Sequence, residues 1–429
     1  MNVLFDVSIF GWAYCSPMAR AGIFRMTEQL VLALAESGQC SLRLCASANL
    51  PDSIDFWRSH PRLAHRVPFP SRLSNSWTAK QIRSLKRRLA HFYFAHQDRP
   101  WIRHTLKYGG MLPLYLEQLI TQSANRKVWQ ENLAFAQVYH APHYEWPDQL
   151  RDTVCVRRFA TIHDMIPIRQ PQFFSGDETL RLKNLLSRLT PEDWVICPSQ
   201  STRHDVQEYF RGHGPQCRVV PWAADTAIFH PVTDAEVLTT MRRTYQIDER
   251  PYILSLCTLE PRKNLAALVR AFVALCEESS FDAVLVMVGS PGWQIAQFME
   301  ELSKARRYQG RIVLTGFVPD QDLAALYSGA TVFVYPSLYE GFGLPVLEAM
   351  QCGTPVITSR TSSMPEVAGD AAVLVDPTDE DALAQVMLNV MSQPELCAEL
   401  KRRSLAQAAH FSWRRCAADT LKIYQEAVA

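Results

Sequence analysis

The sequence predicts an α/β protein built from two doubly wound parallel sheets that face one cleft. Short apolar segments alternate with helical patterns in two successive runs, separated by a loop-like stretch at Ala224–Pro231. A chain of 429 residues leaves room for two or three domains at roughly 150 residues each. Composition is that of an ordinary globular protein, 48% hydrophobic and 20% charged, which excludes a disordered chain.

The first run opens with a strand at 2–7, a loop, and a helix at Ile23–Ser37. Ile23, Phe24, Met26, Leu30, Val31 and Leu34 share one broad face of that helix, and Gly38 is placed to end it. Leu42–Ala46 reads as the next strand. Strands at 138–140, 159–162, 194–197 and 219–222 follow. The second run has strands at 252–257, 283–288, 311–315, 331–335 and 355–358. Helices at 263–277, 294–306, 320–328, 345–352 and 379–391, and from 395 onward, complete it. This places an N-terminal domain at 1–222 plus 410–429 and a C-terminal domain at 223–409.

Between about 50 and 135 the rhythm breaks into a helical insertion. Its segment 79–108 is strongly basic (Lys80, Arg83, Lys86, Arg87, Arg88, Arg99, Arg103 and Lys107 against Asp98) and carries Phe92, Tyr93, Phe94 and Trp101. A solvated helix pair is the plain reading of it; contact with an anionic membrane surface is the functional one. The formal net charge of +1 excludes nucleic-acid binding by overall charge, and no nucleic-acid partner is expected. No apolar run reaches the roughly 18 residues of a membrane span, and Met1 leads straight into a strand without a signal-peptide pattern. The 11 cysteines form no Cys-x-x-Cys pair and most sit in apolar runs, as in a reducing compartment. A cytoplasmic location is expected.

Two motifs carry chemistry. In Tyr335-Pro336-Ser337-Leu338-Tyr339-Glu340-Gly341-Phe342-Gly343-Leu344-Pro345, a buried strand runs into a glycine-bearing loop and then a helix whose first turn holds Pro345. Such a loop lies at the carboxyl end of a parallel strand, where open α/β sheets bind ligands. Gly341 and Gly343 allow close backbone approach, and the helix start favours a phosphate. Glu340 and Glu348 flank this turn, and a carboxylate suits the paired hydroxyls of a sugar or ribose. In Glu260-Pro261-Arg262-Lys263-Asn264, two cations stand at a helix start, where positive charge is unfavourable without an anion. A diphosphate is the anion this suggests.

Other clusters have simpler readings. His140, His143, His163 and Asp164 converge poorly as a metal site. Asp320-Gln321-Asp322 and Asp379-Glu380-Asp381 read as helix caps. No metal is expected, and no Gly-x-Gly-x-x-Gly follows a strand to hold a dinucleotide.

Together these motifs resemble the family-four retaining glycosyltransferases of the GT-B fold, with a feel of the bacterial polysaccharide mannosyltransferases. Gly316-Phe317-Val318, Gly353-Thr354-Pro355-Val356-Ile357, Pro365-Glu366-Val367-Ala368-Gly369-Asp370 and Phe411-Ser412-Trp413 add to the resemblance. It implies two Rossmann-like domains, a nucleotide-sugar donor on the second domain, an acceptor on the first, and a last helix crossing back. It further implies that Glu340 contacts the donor sugar, Glu348 the ribose, Arg262 and Lys263 the diphosphate, and the backbone at Phe317 and Val318 the base. Gly22, Gly341, Phe342, Gly343 and Leu344 would line the donor. His163 matches the active-site histidine, and Arg25, His143 and Asp164 lie on loops that would meet the acceptor. Asp225 and Phe229 match residues just inside the second domain. An arginine common upstream of Glu-Pro-Arg-Lys is replaced here by Cys257 and Thr258. The resemblance implies transfer of a hexose, mannose from GDP-mannose being favoured, to a glycan, lipid-linked or protein acceptor. A nucleotide-sugar epimerase of the same fold and a non-catalytic nucleotide-sugar scaffold are the rival readings.

Overall fold

The computed structural model describes residues 1–15, 22–71, 81, 84–85, 88–89, 92, 125–143, 146–150, 153, 155–174, 176–277 and 281–429. The basic stretch at 79–108 lies almost wholly outside the described residues.

Two six-stranded sheets form the frame, and every pair of neighbouring strands is parallel. The first comprises β1 (Asn2–Asp6), β2 (Ser41–Cys45), β3 (Val138–Ala141), β4 (Arg157–Thr161), β5 (Trp194–Cys197) and β6 (Gln216–Val219), in the order β2-β1-β3-β4-β5-β6. The second comprises β7 (Tyr252–Leu256), β8 (Val284–Val288), β9 (Ile312–Gly316), β10 (Val332–Tyr335), β11 (Val356–Ser359) and β12 (Ala372–Val375), in the order β12-β11-β10-β7-β8-β9. Parallel sheets are covered on both faces, so their central strands are apolar throughout. Val284–Val288 and Val332–Tyr335 are buried at every position. The architecture is that of the GT-B glycosyltransferases.

The helix Gly22–Ser37 follows the predicted apolar face, with Phe24, Met26, Leu30, Val31 and Leu34 buried. The loop expected before it contains a further helix, Ile9–Cys15, whose Phe10 and Ala13 are buried. Gly11 lets this helix pack closely on a later one. A Cβ there would lie 2.5 Å from the Cβ of Asn49, at the start of the helix Leu50–Ser59. The insertion therefore begins later than its sequence suggests. Ile54, Phe56, Leu63, Val67 and Phe69 are buried in the N-terminal core, and Leu44 N donates to Pro68 O. The strand expected at 219–222 ends at Val219, because Pro221 has no N–H to donate to the ladder.

Val220, Trp222 and Ala224 are buried in the segment joining the two sheets. The last helix, Trp413–Val428, capped by Ser412, packs on Gly22–Ser37 of the first domain. Its Tyr424 hydroxyl meets His140 Nδ1, while His140 Nε2 lies 2.8 Å from Thr161 Oγ1. His140 is fully buried and stays neutral, its pKa pushed down to about 3 by burial.

Tyr424→Phe should cost about 1–3 kcal/mol in urea unfolding, because it strands a buried imidazole nitrogen. An unchanged midpoint would show that the Tyr424 hydroxyl does not tie the crossing helix to β3.

Candidate active site

Glu340 lies in the loop after β10, and Arg262 and Lys263 lie in the loop after β7. The two strands are neighbours, so their carboxyl-end loops meet. Lys263 Nζ donates to Glu340 Oε1 at 2.6 Å and to Tyr335 Oη at 2.7 Å. Arg262 Nη1 lies 2.7 Å from Glu340 Oε2 and donates to Tyr339 O at 2.6 Å, while Nη2 pairs with Glu260. Ser337 Oγ and Tyr335 Oη add donors to Glu340 Oε1 at 2.7 and 2.9 Å. Glu260, Arg262, Lys263 and Glu340 are all buried. Burial alone would raise the Glu340 carboxyl, but Arg262, Lys263 and the donated hydrogen bonds outweigh it and hold it at about 2.

This corrects the sequence argument in one respect. The cations do not begin the long helix: they sit on a tight turn, Pro261–Lys263, and left-handed Asn264 (φ 58°) starts Leu265–Glu277 afresh. Their anionic partners are also internal, Glu340 and Glu260. What remains for a ligand is narrower. Arg262 Nε is buried and has no hydrogen-bond partner.

Glu348 is buried too, and is not the solvated residue that a helix start would suggest. Its Oε2 accepts from Tyr327 Oη at 3.0 Å, and its Oε1 lies 3.6 Å from Arg25 Nη1. Burial raises its carboxyl, opposed by Arg25 and Tyr327. Arg25, expected on the acceptor side, thus reaches across the cleft to Glu348 and also pairs with Asp320. Asp320 is therefore not the helix cap expected: Pro319 holds the cap position without a side-chain bond, and Asp320 spends its carboxylate on Arg25. Asp379 does cap its helix, through Ala382 N. Phe317 is exposed at 57% at the end of β9, and Val318 is buried.

Two helix N-termini converge here. Gly343 (φ 115°) precedes Leu344–Gln351, and a Cβ on Gly22, which begins Gly22–Ser37, would lie 3.5 Å from Leu344 Cδ1. Converging positive dipole ends favour an anion. Phe342 is buried and stands 5.6 Å from Trp222 between ring centroids.

On the facing side, His163 and Asp164 follow β4. A Cβ on Gly341 would lie 2.1 Å from His163 O and 2.7 Å from Asp164 Cβ, so only glycine lets the two loops touch. His163 Nε2 meets Pro142 O, a pure acceptor, so Nε2 carries the proton and Nδ1 is an acceptor. Nδ1 is buried without a partner. Burial, then His143, hold the His163 pKa down at about 3. His143 lies 6.1 Å from His163 between ring centroids, and Trp222 5.3 Å. Asp164 accepts Ile166 N at 3.0 Å, and burial raises its carboxyl against the pull of Arg262. Asp225 accepts from Gln29 Nε2 at 2.7 Å, and Phe229 is buried against Tyr327. His140 belongs to the core and not to this site.

Sequence reasoning quoted Glu260, Tyr335 and Ser337 within motifs but assigned them no part. Glu366 stood only within a motif of the resemblance, with no part assigned, and Ser199, Thr202 and Asp205 carried no signal, because their partners lie far away in the chain.

The fold and this cleft define a two-domain glycosyltransferase. The family described as Glycosyl transferases group 1 matches residues 239–407. O-antigen chain mannosyltransferase B of Escherichia coli is 33% identical over 315 residues, which span 73% of this chain and 80% of that protein. A GDP-mannose-dependent alpha-(1-6)-phosphatidylinositol monomannoside mannosyltransferase of Mycolicibacterium smegmatis is 30% identical over 46% of this chain and 54% of its own length. Among solved structures, sucrose-phosphate synthase of Thermosynechococcus elongatus superposes over 99% of this chain and 98% of its own (TM-score 0.64, 21% identity). WaaG, a glycosyltransferase involved in lipopolysaccharide biosynthesis, covers 99% of each chain (TM-score 0.63, 13% identity). The chain belongs to the group 1 glycosyltransferases.

The site histidines His143 and His163, the core His140 and Glu340 share one sign of pKa shift, and the Asp164, Glu260 and Glu348 carboxyls, raised by burial, have the other. His140 and His163 at about 3 and His143 at about 4 all lie below their ordinary 6.5, and Glu340 at about 2 lies below its ordinary 4.5. Each contributes stability that is complete above its unfolded value and is lost as pH falls through the folded one. The three histidines should make the urea midpoint fall as pH drops below about 6, and the raised carboxyls, whose contribution is lost as pH rises, offset part of that fall. A midpoint that stays level down to about pH 4.5 would contradict these assignments.

Proposed function

We propose that this chain transfers mannose from GDP-mannose to a hydroxyl of a glycan acceptor, with retention at the anomeric carbon. The observation that carries this is a set of buried polar atoms left without partners on both sides of the cleft. They are the donors Arg262 Nε and Arg25 Nε and the acceptors His163 Nδ1 and Glu260 Oε2. Native interiors rarely leave such atoms unpaired, and a ligand with anionic and hydroxyl groups would pair them.

The assignment of roles follows from chemistry. Arg262 and Lys263, with the helix starts at Gly22 and Leu344, face the diphosphate and stabilise the charge that develops as it leaves. Glu340, fixed as an anion, accepts sugar hydroxyls and orients the ring. Glu348 takes ribose hydroxyls in exchange for Arg25, and the chain at Phe317 and Val318 holds the base. His163 Nδ1 accepts a further sugar hydroxyl. A carboxylate locked on two cations is a poor nucleophile and a poor base. The acceptor's proton therefore passes to a phosphate oxygen of the leaving group on the same face, which retains configuration. Cationic side chains balance the leaving charge, so no resident metal is required.

The similarity to the two mannosyltransferases, one of them GDP-mannose-dependent, favours mannose and a GDP donor. No described helix is long and apolar enough to cross a membrane. The described cysteines are all free thiols, which fits a reducing compartment.

Incubation with GDP-mannose and short α-mannosides should give an α-mannosidic product, read by anomeric NMR coupling. A β product would overturn retention. Release of mannose epimers without an acceptor would favour the epimerase reading. Glu340→Gln, which keeps the shape, should lower kcat about 100-fold or more. Lys263→Ala should weaken GDP binding about tenfold or more by calorimetry. Full turnover in the first variant, or unchanged affinity in the second, would remove the roles given to these residues.

A further inference from the structure

One carboxylate joins the donor-side and acceptor-side loops. Asp205 sits on the helix Gln200–Tyr209 of the first domain and is 5% exposed. Its Oδ2 accepts from Tyr339 Oη, the side chain next to Glu340 in the donor loop. Its Oδ1 accepts from Arg169 Nε at 3.0 Å and Nη2 at 2.8 Å. Arg169 ends the short helix Ile166–Arg169, which follows His163 and Asp164 directly, and it is braced from outside by Glu208.

The first turn of the same helix holds the donor domain at two further places. Ser199 Oγ and Thr202 Oγ1 donate to Gly341 O at 2.6 and 3.1 Å. The Glu366 carboxylate accepts from Gln200 N and Ser201 N at 2.6 and 2.7 Å. The donor loop is therefore gripped on both sides of Glu340, at Tyr339 and at Gly341, by one element of the other domain. On the inner side, Tyr339 O accepts from Arg262 Nη1, so the same residue links Asp205 to a cation of the buried cluster.

We propose that Asp205 is a positioning residue: through Tyr339 it sets Glu340 and Arg262 at the height of His163 when the two domains close. This rests on the reading of Glu340, Arg262 and Lys263 as donor residues. The mechanism is geometric. A loop held only by its inner contacts can shift with the donor bound. A loop held from both domains presents its cations to the diphosphate only in the closed arrangement. The contribution therefore falls on turnover more than on nucleotide affinity: of the nucleotide contacts only Arg262 is tied to Tyr339, while Lys263 is held by Tyr335 and Glu340, and Glu348 and the chain at Phe317 lie outside this linkage. Misplacement by about an ångström costs up to about 100-fold in rate.

The test compares Tyr339→Phe, Asp205→Ala and Asp205→Asn in the full chain. Hydrogen–deuterium exchange is read at 337–342, GDP affinity by calorimetry, and kcat and KM with GDP-mannose and a short α-mannoside. Tyr339→Phe and Asp205→Ala should speed exchange at 337–342 about tenfold and weaken GDP binding by no more than about threefold, less than Lys263→Ala does. They should lower kcat about 10- to 100-fold with little change in donor KM. Asp205→Asn keeps one acceptor for Tyr339 but turns its NH2 toward the Arg169 donors, so it should recover only part of the loss. The proposal is overturned if exchange is unchanged in Tyr339→Phe and Asp205→Ala, or if exchange rises while kcat holds. Failure of the underlying reading looks different. In that case Glu340→Gln would turn over normally and GDP would not bind the parent protein, whatever the Tyr339 variants do.

Discussion

The buried grouping of Glu340 with Arg262 and Lys263 is the interaction on which the cleft depends. Taking three charges out of water is costly, and such a group survives only when every charge is paired and the remaining polar atoms find partners. Here Glu340 receives Lys263, Arg262, Tyr335 and Ser337. The result fixes the loop after β10 to the loop after β7. Removing one member of a buried ion pair typically costs about 3–5 kcal/mol, so the same atoms that are proposed to serve the reaction also hold the loop. The arrangement is nearly, but not wholly, self-sufficient. Arg262 Nε and Glu260 Oε2 stay unpaired.

The two domains meet across a contact that permits no side chain. Gly341 stands against His163 O so closely that a single methyl group would collide with it. Around this point the facing surfaces are polar and specific. Arg25 reaches Glu348 and Asp320, Gln29 reaches Asp225, and Trp222 sits between the rings of His163 and Phe342. Polar bonds of this kind can be exchanged for bonds to a nucleotide at little net cost, whereas an extended apolar interface could not. The helix Trp413–Val428, by contrast, binds the first domain through buried Tyr424 and holds the domains as one chain-crossed pair.

The alternation of strands and helices was legible because buried parallel strands read as unbroken apolar runs, such as Val332–Tyr335. The helix Ile9–Cys15 was not legible. Seven residues give too few turns for a period, and its close packing on the helix Leu50–Ser59 needs Gly11 beside Asn49, far away in the chain. Arg262, Lys263, Glu340 and Glu348 stood out as charges at strand ends. Their mutual pairing did not, because Lys263 and Glu340 are 77 positions apart in the chain. The same limit hid Asp205 and Tyr339, which lie 134 positions apart. Asp320 was misread for a related reason. Local rules make an aspartate before a helix a cap, and only the folded chain shows that Arg25 claims it.

The central claim is that this cleft binds a guanine nucleoside diphosphate on Arg262 and Lys263. Calorimetric titration of GDP, UDP, dTDP and ADP into the purified protein, with no metal added, tests it most directly. GDP should bind well above the other three. Binding by none of them would contradict the reading of the cleft, and preference for another base would contradict the donor assigned to it.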